Sequence, residues 1–158
     1  MSAVKRGTLT ELGIEELADD GTGIAHVDGI PVHVEDAVPG DRVKAYIYDT
    51  SADRAEAKLD TLLTPSDRRV EPRCRYADAC GGCTWQHVEY DAQLEAKQRH
   101  VAETFEQKTG FDDVEVRPAL GSPKRFFYRN KMDFDFSADR WLTRGEIDTG
   151  KEFDTDSR

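Results

Sequence analysis

The run Cys74-Arg-Tyr-Ala-Asp-Ala-Cys80-Gly81-Gly82-Cys83 holds every cysteine of the chain. A lone cysteine usually serves as a small buried hydrophobe, and such residues do not gather at ligand spacing. Their odd number argues against a closed set of disulfides. The Cys80-x-x-Cys83 interval lets two thiolates converge on one metal or cluster. Gly81 and Gly82 permit a tight turn with positive φ and bring backbone N–H groups close to bound sulfurs. Tetrahedral sulfur sites hold zinc or iron–sulfur, and both normally take four ligands. An iron–sulfur cluster here draws its fourth ligand from outside the sequence. Zinc takes His87, four positions past Cys83, to complete a Cys₃His set. His100 fits less well, because a helix at that point carries it away from the cysteines. Spacing alone leaves cluster and zinc both open.

A second chemistry is anion binding. The net charge of -10 counts against nucleic acid, since a phosphate backbone favours basic surfaces. The total hides a local reversal. Between Val116 and Met132 there is no Asp or Glu, yet Arg117, Lys124, Arg125, Arg129 and Lys131 all fall there. Arg68, Arg69, Arg73 and Arg75 form another cluster beside and within the cysteine run. Two basic patches in an acidic chain mark candidate anion sites. The acidic excess, rich in Asp and Arg and poor in Lys, suits a protein kept soluble in concentrated salt and points to a salt-adapted host.

The elements that position these groups fall into three parts. Residues 1–65 read as short strands separated by turns. Arg6–Leu12 and Ile14–Leu17 alternate loosely, and Asp19-Asp20-Gly21-Thr22-Gly23 breaks the run. Ile24–Val27 and Ile30–Val34 flank Asp28-Gly29, a two-residue hairpin signal. Val38-Pro39-Gly40-Asp41 is a turn into Val43–Tyr48, and Ala55–Leu63 is the last strand. Five short strands with Gly-rich turns predict a small closed barrel of the OB type, an architecture that often faces single-stranded nucleic acid or folded RNA. Gly21-Thr22-Gly23 is a strand-connecting turn, because it lacks the strand-to-helix context and Lys-Ser/Thr of a phosphate loop.

Residues 66–88 form a polar linker and the cysteine segment. Residues 89–158 open with a helix over Glu89–Lys108, its stripe Tyr90, Leu94, Val101 and Phe105 predicting a docking face and Gly110 its stop. Phe126–Phe136 then alternates as a half-buried strand, with Arg129 and Lys131 on the polar side. The tail after Trp141 shows no helix cap and no apolar closing element, so the chain reads as cut rather than ended. No run approaches the ~18 apolar residues of a membrane span. The N-terminus has no apolar signal region, and reduced thiols at metal-like spacing fit a cytoplasmic setting; the chain is expected to be a monomer. No Ser/His/Asp set and no Gly-rich nucleotide loop is present. On its residues this chain binds something and does not transform it.

These features fall in one order. Asp20–Ala25, Gly29–Val34 and Val38–Val43 together resemble a TRAM domain, an OB-like RNA-binding module. Cys74-x5-Cys80-Gly-Gly-Cys83-x-Trp85-Gln86-His87, Tyr90–Leu94 with Lys97-Gln98, and Phe127–Met132 complete the pattern. From about residue 6 to 145 the chain resembles the N-terminal part of the S-adenosylmethionine-dependent RNA (uracil-5-)-methyltransferases, of the type that modifies 23S ribosomal RNA. The resemblance implies a [4Fe–4S] cluster on Cys74, Cys80 and Cys83, with a fourth cysteine downstream of this sequence. It implies ribosomal RNA as partner and an incomplete α+β region that contacts it. Arg125, Arg129 and Lys131 are then the phosphate contacts, and Phe127 a stacking residue. The S-adenosylmethionine loop, the nucleophile and the general base lie in a catalytic domain this chain does not contain, so alone it is expected to be inactive. Two other readings are a stand-alone zinc-bearing RNA-binding module with no enzymatic parent, and a redox sensor with a labile cluster.

Overall fold

The computed structural model describes residues 4–77, 79–109, 114–131 and 138–153. Six strands make one sheet: β1 Leu9–Gly13, β2 Glu16–Leu17, β3 Gly23–Val27, β4 Ile30–Glu35, β5 Arg42–Thr50 and β6 Ala55–Thr64. Their order is β1-β5-β6-β4-β3-β2. β1 and β2 are one segment bent at Ile14 and Glu15. The Ile14 N–H donates to the Asp41 carbonyl and the Glu15 N–H to the Ile24 carbonyl, so the bend pairs with both flanks. The two ends of the sheet are therefore the same stretch of chain, and the sheet closes as a barrel. The five strands expected from the sequence are present, the first divided by its bend.

Alternation fixes which side chains go inside. In β5, Val43, Ala45 and Ile47 are buried while Lys44, Tyr46 and Tyr48 point outward. Val32 and Val34 of β4 and Ala55 and Ala57 of β6 complete the interior. Alanine at three of these positions suits a barrel whose facing walls lie close together. Asp28 and Gly29, with φ of 52° and 80°, form the two-residue turn that the β3–β4 hairpin requires, closed by the Val27–Ile30 pair. β4 and β6 run parallel, and every other pairing is antiparallel.

The turn between β4 and β5 carries a buried carboxylate. Asp41 is 1% exposed. It accepts the N–H groups of Val38 and Ser66, each at 2.8 Å, and Arg69 Nη2 at 2.5 Å. Arg69 also donates to the Asp36 carbonyl at 2.7 Å. Ser66 and Arg69 belong to the linker after β6, so one carboxylate ties the barrel to everything that follows.

Helix α1, Tyr90–Thr109, matches its predicted span, while Gly110 lies outside the described residues. Its docking face differs from the expected stripe. Ala96 is buried and Ala92 packs beside it, against Leu17, Val38 and Val88. Val101 and Phe105 are substantially exposed. Small side chains let the helix backbone approach the barrel, and Arg99 fixes the approach by donating to the Leu17 carbonyl at 2.9 Å. Tyr90 and Leu94 meet the following segment instead: the Tyr90 hydroxyl accepts the Ser122 N–H, and Leu94 lies against Gly121.

The predicted strand over Phe126–Phe136 does not form in its described part, residues 126–131, which are exposed. Phe127 has φ of 55°, incompatible with a continuous strand, and among the described residues no strand pairs with it to supply a ladder. Met132–Phe136 lie outside the described residues. The tail does contain a cap. Thr143 precedes a five-residue helix, α2, Arg144–Asp148, and donates to the Glu146 carboxylate from its N–H at 2.8 Å and its hydroxyl at 3.0 Å. Arg140, then Thr143, holds Glu146 down at a pKa of about 2.

Replacing Asp41 by Ala leaves Arg69 and two backbone amides without their acceptor. A loss of roughly 3–5 kcal/mol in unfolding free energy is expected, the usual cost of breaking a buried charge pair. Urea unfolding measures it, and an unchanged midpoint contradicts the role given to Asp41.

Candidate functional site

The cysteine segment is a loop closed by a short neck. The Val70 N–H donates to the His87 carbonyl at 2.9 Å and the Glu89 N–H to the Arg68 carbonyl at 2.8 Å, with Arg69 and Val88 bridged between them. The neck is held to the barrel by the Asp41–Arg69 contact. Within the loop, Gln86 reaches back and accepts the Cys74 N–H at 2.6 Å. The Cys80 N–H donates to the Tyr76 carbonyl at 2.8 Å, and Gly81 takes φ of 67°. The positive-φ turn inferred from the glycine pair is therefore present.

The loop also leans on the barrel. Trp85 packs beside Val38 and Val88. Gly21, at φ 93°, leaves no room for a side chain: a Cβ there would overlap Thr84 Cγ2 and fall 2.8 Å from Trp85 Nε1. The Gly21-Thr22-Gly23 turn is a strand connection, as its sequence implied, and it is also the surface that receives the cysteine loop.

All three cysteines are free and exposed. In kind they suit a soft metal or cluster; in position they are not gathered. Among the described residues no three His, Cys, Asp or Glu side chains converge as a ligand set. His87 likewise is not gathered with the thiols into a ligand set among the described residues. Its ring is largely buried, and burial, followed by the nearby Arg69 charge, lowers its pKa and keeps it neutral.

The basic residues separate into spent and available. Arg68 lies 3.4 Å from both Glu89 and Glu95, and Arg69 serves Asp41. Arg73 stands over the rings of Phe126 and Phe127, at 5.1 and 5.0 Å. This stack brings the exposed segment back to the residue just before Cys74. Arg125 lies 4.2 Å over Tyr90 on the helix. Arg129 and Lys131 are exposed, and neither makes an ion pair among the described residues. Phe127, at 90% exposure, has Arg73 over its ring and the rest of its surface in solvent. Of the expected RNA contacts, Arg125 is thus engaged with an aromatic face, while Phe127, Arg129 and Lys131 face solvent.

Comparison with known proteins bears on the barrel first. Residues 3–59 match the TRAM domain family. The barrel is similar to a TRAM domain over nearly its whole length. Beyond it, the chain is 39% identical over 147 residues to an uncharacterized RNA methyltransferase of Chlorobaculum tepidum, a match covering 92% of this chain and 30% of that protein. An uncharacterized RNA methyltransferase of Nostoc sp. is 38% identical over 147 residues, 92% of this chain and 32% of its own length. The chain therefore spans about a third of the relatives it matches, and the match runs past the barrel through the cysteine loop and α1. A solution structure of a conserved protein from Methanococcus maripaludis is 29% identical over 37% of this chain and 83% of its own, at a TM-score of 0.35.

Two features went unread in the sequence, one without a local signal and one with it. Asp41 sat in an ordinary turn sequence, and nothing local marks it as the acceptor for residues 25 to 28 positions away. The cap at α2 had one: Thr143-Arg-Gly-Glu146 is the T-x-x-E pattern of a capping box.

Proposed function

We propose that this chain is the RNA-recognition and cluster-bearing portion of a 23S ribosomal RNA (uracil-5-)-methyltransferase that transfers a methyl group from S-adenosylmethionine to uracil C5. The observation that carries the reading is the docking of the three-cysteine loop onto a barrel similar to a TRAM domain, with exposed aromatic and cationic side chains beside it. Similarity to proteins named RNA methyltransferases over most of the chain supports the enzyme class. The finer points, uracil C5 and the ribosomal target, rest on the cysteine motif with its Trp85-Gln86-His87 tail.

In this reading the TRAM barrel and neck form a rigid base. Phe127 offers a face on which a base can stack, and Arg129 and Lys131 meet phosphates. Cys74, Cys80 and Cys83 are ligands of a [4Fe–4S] cluster, and Gly81 and Gly82 give the loop the freedom to close around it. A bound cluster supplies a rigid, covalently tied knot in a loop that otherwise has few internal contacts. No helix among the described residues is long and apolar enough to cross a membrane.

Two outcomes follow. Binding to 23S ribosomal RNA fragments weakens as salt rises, and the double reversal Arg129→Glu with Lys131→Glu weakens it by about tenfold or more; unchanged affinity removes these residues from the interface. Anaerobic incubation with ferrous iron and sulfide turns the chain brown, with broad absorbance that bleaches on reduction, and Cys80→Ser lowers the iron retained. A colourless chain that takes up stoichiometric zinc instead contradicts the cluster.

A further inference from the structure

An open groove of about 980 Å³ runs between the outer face of β5–β6, the cysteine loop and α2. It is distinct from the 125–131 segment. Its volume lies at the upper end of the roughly 300–1,000 Å³ typical of ligand clefts, enough for several linked units rather than one small molecule. On its barrel wall Tyr46 and Lys58 stand side by side, since Tyr46 of β5 pairs with Lys58 of β6. Tyr46 is 44% exposed. The neighbouring Tyr48 is committed, donating its hydroxyl to Glu35 at 2.8 Å, which leaves Tyr46 as the ring free to receive a planar partner.

The charges of the groove narrow the ligand. Carboxylates line it in the same number as basic side chains. Arg69 is held by Asp41 and Arg144 by Asp148, so Lys58 and Arg75 are the lining cations not held by a carboxylate; Arg75 lies 4.5 Å over the Tyr76 ring and donates to its hydroxyl, which leaves the rest of its guanidinium N–H groups for a ligand. Two separated cations do not track a duplex backbone, but they suit a single strand whose bases find an aromatic face. Deeper in the lining, His87 adds a neutral imidazole whose Nε2 is buried without a hydrogen-bond partner among the described residues. A buried polar atom left unpaired is costly, and a ribose hydroxyl or base edge would satisfy it.

We propose that this groove is a second RNA site, which holds a single-stranded segment with Tyr46 as the stacking platform and Lys58 and Arg75 as phosphate contacts. This inference rests on the RNA-recognition reading and adds a place and a strand state to it. The TRAM barrel then touches RNA through the wall that faces the cysteine loop, so both parts grip one strand from opposite sides.

Fluorescence anisotropy with a labelled oligouridylate and with a hairpin duplex RNA tests it on the full chain. The oligouridylate is expected to bind more tightly than the duplex. Tyr46→Ala is expected to weaken it about tenfold, within the range for loss of one base stack, while Tyr46→Phe retains the affinity. The two groove contacts contribute roughly −1.4 to the slope of log K against log salt, so Lys58→Glu makes the slope shallower. Circular dichroism of both Tyr46 variants checks that each is folded. If Tyr46→Ala and Lys58→Glu bind like the parent while the Arg129 and Lys131 reversal abolishes binding, the groove is overturned and the RNA reading stands. If no RNA binds even in dilute salt, both are overturned.

Discussion

One buried carboxylate organises this molecule. Asp41 lies at the mouth of the barrel and accepts from a turn amide, a linker amide and a guanidinium at once. A carboxylate offers about four lone-pair sites, and here they are filled by groups from two separate stretches of chain, the β4–β5 turn and the linker after β6. An ionised group with 1% exposure survives only when it is so completely satisfied. The consequence reaches past the barrel. Arg69 is a residue of the neck that closes the cysteine loop, so the carboxylate that fixes the β4–β5 turn also fixes where the three thiols stand.

From that constraint the remaining contacts gain their meaning. Gly21 accepts Thr84 and Trp85 at van der Waals range, Gln86 ties the loop's far end to Cys74, and Ala92 and Ala96 seat the helix on the same patch of barrel. The Trp-Gln-His run after the last cysteine is thus a set of three fastenings: one against the barrel, one across the loop, one in the neck. Arginine is used in the same economical way. Arg68 and Arg69 hold the structure together, whereas Lys58, Arg75, Arg129 and Lys131 remain where a ligand could meet them. In a chain of net charge -10, the proposed recognition of RNA leans on aromatic faces and a few placed cations rather than on a broad basic field.

The barrel was legible in the sequence because its information is local. Alternation in Val43–Tyr48, the Asp28-Gly29 turn and the Gly-rich breaks each follow from strand geometry and positive φ alone. The helix was legible in extent but not in face. Its large apolar residues made the more regular stripe, yet the barrel surface at Leu17 and Val38 selects the alanines that permit close approach. The 126–131 segment failed for a related reason: alternation there is real, but a strand needs a partner, and Phe127 turns left-handed to stack on Arg73. Asp41 could not be read at all, since its partners are defined only once the barrel has closed. The cysteine spacing suggests a ligand set, whereas in the structure the three thiols are free, exposed and not gathered into one among the described residues.

The account stands on the barrel, neck and cysteine loop being one cooperative unit held at Asp41. Native-state hydrogen exchange at the Ser66 amide, which donates to that carboxylate from the linker side, measures this most directly. Protection equal to that of the core amides of β5 is the predicted result, with both lost together in Asp41→Asn. A Ser66 amide that exchanges freely while β5 stays protected would contradict it.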